Sequence, residues 1–455
     1  MILVKKIHIY LFVTILVLTP GCEITDSDSP DPQDTFVKYY GFGGTQVGID
    51  LEYDGSGPGT TGESMIILGS NVPSGEADRN VIVRRVDLAG NELDFAEYDF
   101  TDPVHGGGDD EPGSILVEDG RLVIVGTSSR EGVAGPYSVV FILELNEELD
   151  SVRSKVIGEA GYQLKGRDVV RVTNTNNPDI NLDPDGDLIV TGSSNFEELG
   201  DPLRNVANPD DETQIFIARV AMNQDSVVWR RTRGFTGNDE GIYIDEFAPN
   251  NFVIIGSSDR DRSDQGRNVI LLPINEVASP SDGVAEGFII DAQEDFDDVA
   301  TAVFKRPAGY VVTGVSSKTG AANRPIFVNF TYTSAEIVTM DRGKEILLND
   351  MIGQEGKGYG IALGRNGNYV VVGEYLNFGG TGGKNSEIFV TQLDQTGAEI
   401  VGSTRNYGLV AGSDIGEDVV VIPNGDIMVL STVDFGSGNS LLGLMRLNQS
   451  GDIAQ

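Results

Sequence analysis

The sequence predicts an all-β chain, a seven-bladed β-propeller of four-stranded antiparallel blades. Its ring is closed by the N-terminal strand within the C-terminal blade. Three observations predict this: a unit of about 60 residues recurs seven times, each unit alternates short β-branched runs with turn residues, and the chain ends carry complementary parts of one unit. The second strand of the unit is the ruler. It occurs as Met65–Gly69, Leu122–Gly126, Leu188–Gly192, Phe252–Gly256, Tyr310–Gly314, Tyr369–Gly373 and Ile427–Ser431. The closing positions are 57, 66, 64, 58, 59 and 58 residues apart.

The unit is clearest from Tyr359 to Ile400. A first run leads into Asn366-Gly367, a second run into a Gly-rich loop, and Glu387–Asp394 into a second turn at Gly397. Asn-Gly between β-branched runs predicts a tight hairpin of type I′, with φ > 0 at both residues. Near-continuous apolar runs suit strands covered on both faces. The closing Gly is expected where the strand leaves the sheet.

The units cover about 47–99, 112–158, 167–234, 241–291, 298–348, 359–407 and 418–455. The outer strand of the fifth is ambiguous between Glu336–Met340 and Glu345–Leu348. Leu441–Leu447 reads as a third strand with no full fourth strand after it, while Phe36–Tyr40 reads as a fourth strand with no blade of its own. Joining the two closes the ring and removes open edges. The first-to-second and third-to-fourth turns are mostly short; the other two connections are long, Gly-rich and acidic, and strand alternation puts both on one face.

Ahead of this domain (36–455), Lys5 and Lys6 precede an apolar run from Ile7 to Leu18, too short for a comfortable membrane span. Thr19-Pro20-Gly21-Cys22 follows. This resembles a bacterial lipoprotein signal over residues 1–21, which implies Cys22 as the lipidated anchor; a plain secretory signal is the alternative. Residues 22–35 hold five acids and two prolines up to Asp34, a composition suited to a flexible acidic tether. Acids just after the lipidated Cys resemble surface-export signals of Bacteroidota lipoproteins. Cys22 is the single cysteine, which excludes internal disulfides and a Cys-based zinc site.

The formal charge of the chain is −38, and −40 once residues 1–21 are removed. Such a surface repels nucleic acid and favours cations. His105 is the one histidine of residues 22–455, in a Gly- and Asp-rich loop, so Ser-His-Asp and multi-His metal chemistry are not expected. Paired acids could still run glycosidase chemistry. Asp109-Asp110-Glu111, Asp239-Glu240, Asp297-Asp298 and Glu417-Asp418 all fall near the start of a unit, where solvated or strand-leading carboxylates are the plainer reading.

Asn181, Asp183, Asp185 and Asp187 alternate around Gly186 like the front half of a calcium loop. The stretch resembles the calcium hairpins of integrin-type propellers, but no later acid closes the loop, and a tight turn is the competing reading. Calcium is the single cofactor considered. Tyr162, Tyr359, Tyr375 and Tyr407 lie in or near long connections and are candidates for a ligand or partner face.

The region as a whole resembles the seven-bladed propeller lipoproteins of Bacteroidota, most closely at Ile388–Asp394 with Gly397. The resemblance implies an outer-membrane lipoprotein, at the cell surface or facing the periplasm. The expected function is non-enzymatic: a binding or scaffold protein presenting its loop-rich face to a protein partner. Glycan binding is the alternative, and a carboxylate-based glycoside hydrolase or lyase the third reading.

Overall fold

The computed structural model describes residues 35–453, apart from stretches that lie mostly in connections, among them 56–62, 101–107, 174–185, 196–212, 260–265, 276–287, 291–296, 318–321, 334–336, 347–354 and 378–384. Cys22, His105, Asn181, Asp183 and Asp185 lie outside the described residues. Among the described residues all regular structure is β, with no helix.

The strands form antiparallel sheets in chain order. One sheet is β6 (Asp110–Glu118), β7 (Arg121–Gly132), β8 (Gly135–Leu145) and β9 (Ser151–Ile157). The next is β10 (Leu164–Arg171), β11 (Leu188–Ser194), β12 (Gln214–Val220) and β13 (Val227–Arg233). Then come β14 (Asp239–Ala248), β15 (Asn251–Ser258), β16 (Asn268–Asn275) and β17 (Phe288–Ile290). β18 (Asp297–Arg306), β19 (Gly309–Ser317), β20 (Arg324–Thr333) and β21 (Ile337–Glu345) follow, so the ambiguous outer strand spans parts of both stretches offered by the sequence. β22 (Glu355–Leu363), β23 (Tyr369–Asn377), β24 (Asn385–Leu393) and β25 (Arg405–Tyr407) make another. The chain ends share an eight-stranded sheet. In it β26 (Asp414–Val421), β27 (Ile427–Asp434) and β28 (Ser440–Leu447) meet β2 (Thr45–Asp54), β3 (Ser64–Val72), β4 (Asn80–Asp87) and β5 (Glu92–Tyr98). β1 (Phe36–Tyr40) pairs antiparallel with β28, from Phe36 opposite Arg446 to Tyr40 opposite Leu442.

The apolar runs are explained by what covers them. On β3, Ile66 and Leu68 pack with Leu122 and Ile124 of β7, whereas Met65 and Ile67 pack with Met428 and Leu430 of β27. Alternate side chains therefore enter the cores on either side of the sheet, and both sets are fully buried. Each such side chain contributes about 1.5–3 kcal/mol of burial. The first strands line up next to one another: β2 packs on β6, β6 on β10, β10 on β14, β14 on β18, β18 on β22, β22 on β26, and β26 on β2. Four-stranded sheets standing side by side with their first strands around a shared channel make a propeller-type arrangement.

Two local expectations are corrected. The Gly closing the second-strand run does not end the strand. β3 continues past Gly69 to Val72, and Gly69 pairs with Gly48, where the register of β2 shifts by one residue. The same bulge recurs in every first strand, for example at Gly166/Asp168 and Gly416/Asp418. A Cβ on Gly69 would stand 2.6 Å from the Val47 carbonyl oxygen, so the bulge requires an absent side chain opposite it. The Asn-Gly hairpins are also not type I′. Gly367 has φ 83° and donates its N–H to Gly364 O at 2.9 Å, while Asn366 is not at positive φ. This is a type I turn with one left-handed glycine, the three-residue hairpin.

Candidate functional site

The first strands enclose a channel of about 540 Å³, lined by the residue just after the bulge in six of them: Asp50, Ser114, Asp168, Tyr243, Ala302 and Asp418. Three of those residues are aspartates that join one first strand to the next. Asp50 Oδ2 accepts the Ile115 N–H at 2.8 Å, Asp168 Oδ2 the Ile244 N–H at 2.8 Å, and Asp418 Oδ2 the Leu51 N–H at 3.0 Å. Ser114, at the same position of β6, donates its hydroxyl to Asp168 Oδ1 at 2.9 Å. The bulge leaves a backbone N–H of the neighbouring strand without its ladder partner, and a short carboxylate side chain reaches it.

Asp50 and Asp418 meet where β2 lies against β26. Leu51 N–H is shared between Asp50 Oδ1 at 2.9 Å and Asp418 Oδ2, and the two carboxyls hydrogen-bond each other. Burial raises the pKa of Asp50, and burial together with the Asp50 charge raises that of Asp418 well above the usual carboxylate range. Glu52 is pushed up to about 8 by burial and by Asp50 and Asp168, and Asp168 to about 7, chiefly by burial. These groups lie deep in the protein, yet each keeps some accessible surface because the channel admits water.

At the wider rim of the channel the charges are paired. Arg167 Nε binds Glu240 at 2.7 Å and Arg267 approaches Glu240 at 3.5 Å. Burial opposes ionisation of Glu240, but Arg167 and Arg267 outweigh it and lower its pKa. Across the rim, Tyr359 donates to Glu374 at 3.1 Å beside Lys357, and Glu417 accepts from Thr432 at 2.6 Å. Glu417 is pushed up to about 7, chiefly by burial.

The paired acids picked out in the sequence are ties as well. Asp110 and Asp239 of those pairs are fully buried at the start of their strands, as is Asp414, which the pairs did not include. They accept the N–H of Phe100 at 2.7 Å, Phe235 at 2.5 Å and Leu409 at 2.5 Å, holding the connection that leads into each strand. The residue before reaches the preceding sheet: Asp109 Oδ1 accepts Arg79 N–H at 3.1 Å, and Asp297 Oδ1 accepts Arg267 N–H at 2.7 Å. Asp110 and Asp239 are therefore strand-leading and buried rather than solvated, while Asp109 and Asp297 stay exposed.

Of the calcium candidates, Asp187 is described. It is fully buried, and its Oδ2 accepts Arg219 Nε at 2.7 Å, with Arg219 itself 1% exposed. The same device, a buried third-strand arginine on an acid near the first-to-second turn, recurs as Arg446–Asp426 at 2.7 Å and Arg85–Asp54 at 2.6 Å. Among the described residues no three His, Cys, Asp or Glu side chains are placed to hold a metal ion.

The four tyrosines do not come together. Tyr359 lines the channel. Tyr375 is buried and donates to Glu387. Tyr162 packs half-buried between two sheets, in the core shared by β8 and β11. Tyr407 ends its outer strand and donates to Gly451 O, in the third-to-fourth turn of the following sheet. Tyr98 makes the same bond to Leu149 O, and Tyr40 of β1 to Gly90 O at 2.8 Å. This places Tyr407 in a sheet-to-sheet clasp rather than on a ligand face. The channel residues Asp50, Glu52 and Asp168 were missed by sequence reading; the recurrent Gly-x-Asp at 48–50, 166–168 and 416–418 is the signal that could have found the aspartates.

No family model matches the chain, and no curated protein matches it. Among solved structures it is similar to a protein of unknown function from Dyadobacter fermentans, with 10% identity, TM-score 0.45, and coverage of 90% of this chain and 99% of that one. Extracellular domains 1–2 of Drosophila semaphorin 1a give 8% identity and TM-score 0.44, covering 91% and 88%. Trypanosoma rangeli sialidase in complex with sialic acid gives 7% identity and TM-score 0.37, covering 92% and 58%.

Proposed function

We propose that the chain is a non-enzymatic binding or scaffold lipoprotein built as a closed seven-bladed propeller and anchored through lipidated Cys22 at the outer membrane, facing the medium. The observation that carries the non-enzymatic reading is the use made of the acids. Asp50, Asp168, Asp110 and Asp239 are spent as acceptors for backbone N–H groups. An acid committed to such a bond is a poor general acid or base, because proton transfer would cost the tie.

Closure is supported at three levels. β1 pairs with β28 along its length, Tyr40 makes the clasp that Tyr98 and Tyr407 make elsewhere, and Asp418 reaches Leu51 as Asp50 reaches Ile115. The eight-stranded sheet then counts as two blades, since β28 and β2 meet through the single Thr45–Ser440 pairing. A rigid disc of this kind suits presentation of long connections to a protein partner.

The test is affinity capture of the tagged chain from outer membranes in mild detergent, with Cys22→Ser alongside. A stoichiometric protein partner, and release of Cys22→Ser into the soluble fraction, are expected. Recovery of the chain alone overturns the scaffold reading, and membrane retention of Cys22→Ser overturns the anchor.

A further inference from the structure

Acids outnumber cations in the channel wall. Arg167 is the only cation among its described lining residues, and Glu240 and Glu111 engage it. Asp50, Asp168 and Asp418 have backbone partners on neighbouring strands. Glu52 differs from them. It lines the cavity, deep in the protein, and the hydrogen bond its carboxyl makes is to the N–H of the adjacent Tyr53. It ties no sheet to another. Neighbouring acids raise its pKa, and no Lys or Arg among the described residues offsets its charge.

The surroundings limit what would compensate it. The cavity, about 540 Å³, is of small-molecule size and far larger than a bare ion needs. No three potential metal ligands converge among the described residues. Tyr243 lines the same cavity as Glu52 and Asp168, and Leu116, Val170 and Phe304 supply apolar wall. Carboxylates beside an aromatic ring and apolar wall suit an alkylammonium group, through ion pairing, cation–π contact and burial of the carbon chain.

We propose that the channel is a binding site for a small organic ammonium ion, with Glu52 as its charge partner and Tyr243 beside it. Since Glu52 is pushed up to about 8, it holds a proton at pH 7, and binding is an exchange. The ammonium ion enters, the Glu52 carboxyl gives its proton to solvent, and a carboxylate–ammonium pair remains. The site is lined by the first strands and stands whether or not a protein partner exists.

The experiment is calorimetric titration of the full chain with 1,4-diaminobutane at pH 7 and physiological salt, in two buffers of different ionisation enthalpy. One saturable site releasing close to one proton is expected. Glu52→Gln should bind at least tenfold more weakly and release fewer protons. Ala302→Phe, which fills the channel from another strand and leaves Glu52 intact, should also abolish the site; it carries the test should Glu52→Gln fail to fold. Absence of saturable heat in the parent chain overturns the proposal. So does equal affinity in both variants, which would assign the heat to the acidic exterior. Saturable binding of calcium with none of the diamine overturns it too.

Discussion

Replacing Asp187 by Ala tests the buried ion pair against the calcium reading in one experiment. Asp187 has no exposed surface and Arg219 is 1% exposed, so the guanidinium would be left in the interior facing a methyl group. Arg219 Nη1 is already buried without a hydrogen-bond partner, leaving the pair little reserve. Removing one member of a buried pair costs about 3–5 kcal/mol, a large share of a typical stability of about 5–15 kcal/mol. Urea unfolding of parent and variant, with chelator and with calcium, reads the loss as a lower midpoint at unchanged slope. The loss should be the same in both conditions. Asp187→Leu combined with Arg219→Met should recover most of it, because the desolvation penalty disappears with the charges. A loss below about 1 kcal/mol, or one seen only with calcium, would refute the reasoning; the second result would make Asp187 a metal ligand.

Other outcomes follow from the same ties. Tyr98→Phe and Tyr407→Phe should each lower stability by about 1 kcal/mol in chemical denaturation, the net worth of one hydrogen bond, with no change in ligand capture. Gly69→Ala forces a Cβ to within 2.6 Å of the Val47 carbonyl oxygen, so it should cost more than about 3 kcal/mol, well beyond the usual Gly-to-Ala range. Asp110, Asp168 and Asp239 are pushed up to about 7 and Glu52 to about 8, with burial as the largest cause in each. A raised carboxyl binds a proton in the folded state that the unfolded chain has lost, so stability should fall as pH rises from about 4 to 8 and level off above. A fully enclosed carboxyl raised by about three units accounts for at most about 4 kcal/mol, less where channel water reaches it. Thermal melts across this range should show the fall, and Asp239→Asn should flatten part of it; a rising or flat profile in the parent would contradict the assignment.

The sequence alone carried the repeat, the strand positions and the complementary chain ends, because each rests on local pattern. Near-continuous apolar runs and turn glycines are legible within one unit, and comparing units gave the fixed spacing and placed Phe36–Tyr40 as an outer strand. What each acid does was not legible. Asp50 meets Ile115, Asp168 meets Ile244 and Asp418 meets Leu51, over separations of 65, 76 and 367 residues. In a chain with 70 acids, composition cannot tell a tie from a solvated charge. The same holds for Gly69: its spacing marked a position, but only the bulge in the facing strand explains why a side chain is excluded there. The channel and the place of Glu52 in it belong wholly to tertiary structure, because a cavity is made by strands from every repeat and no single repeat encodes it.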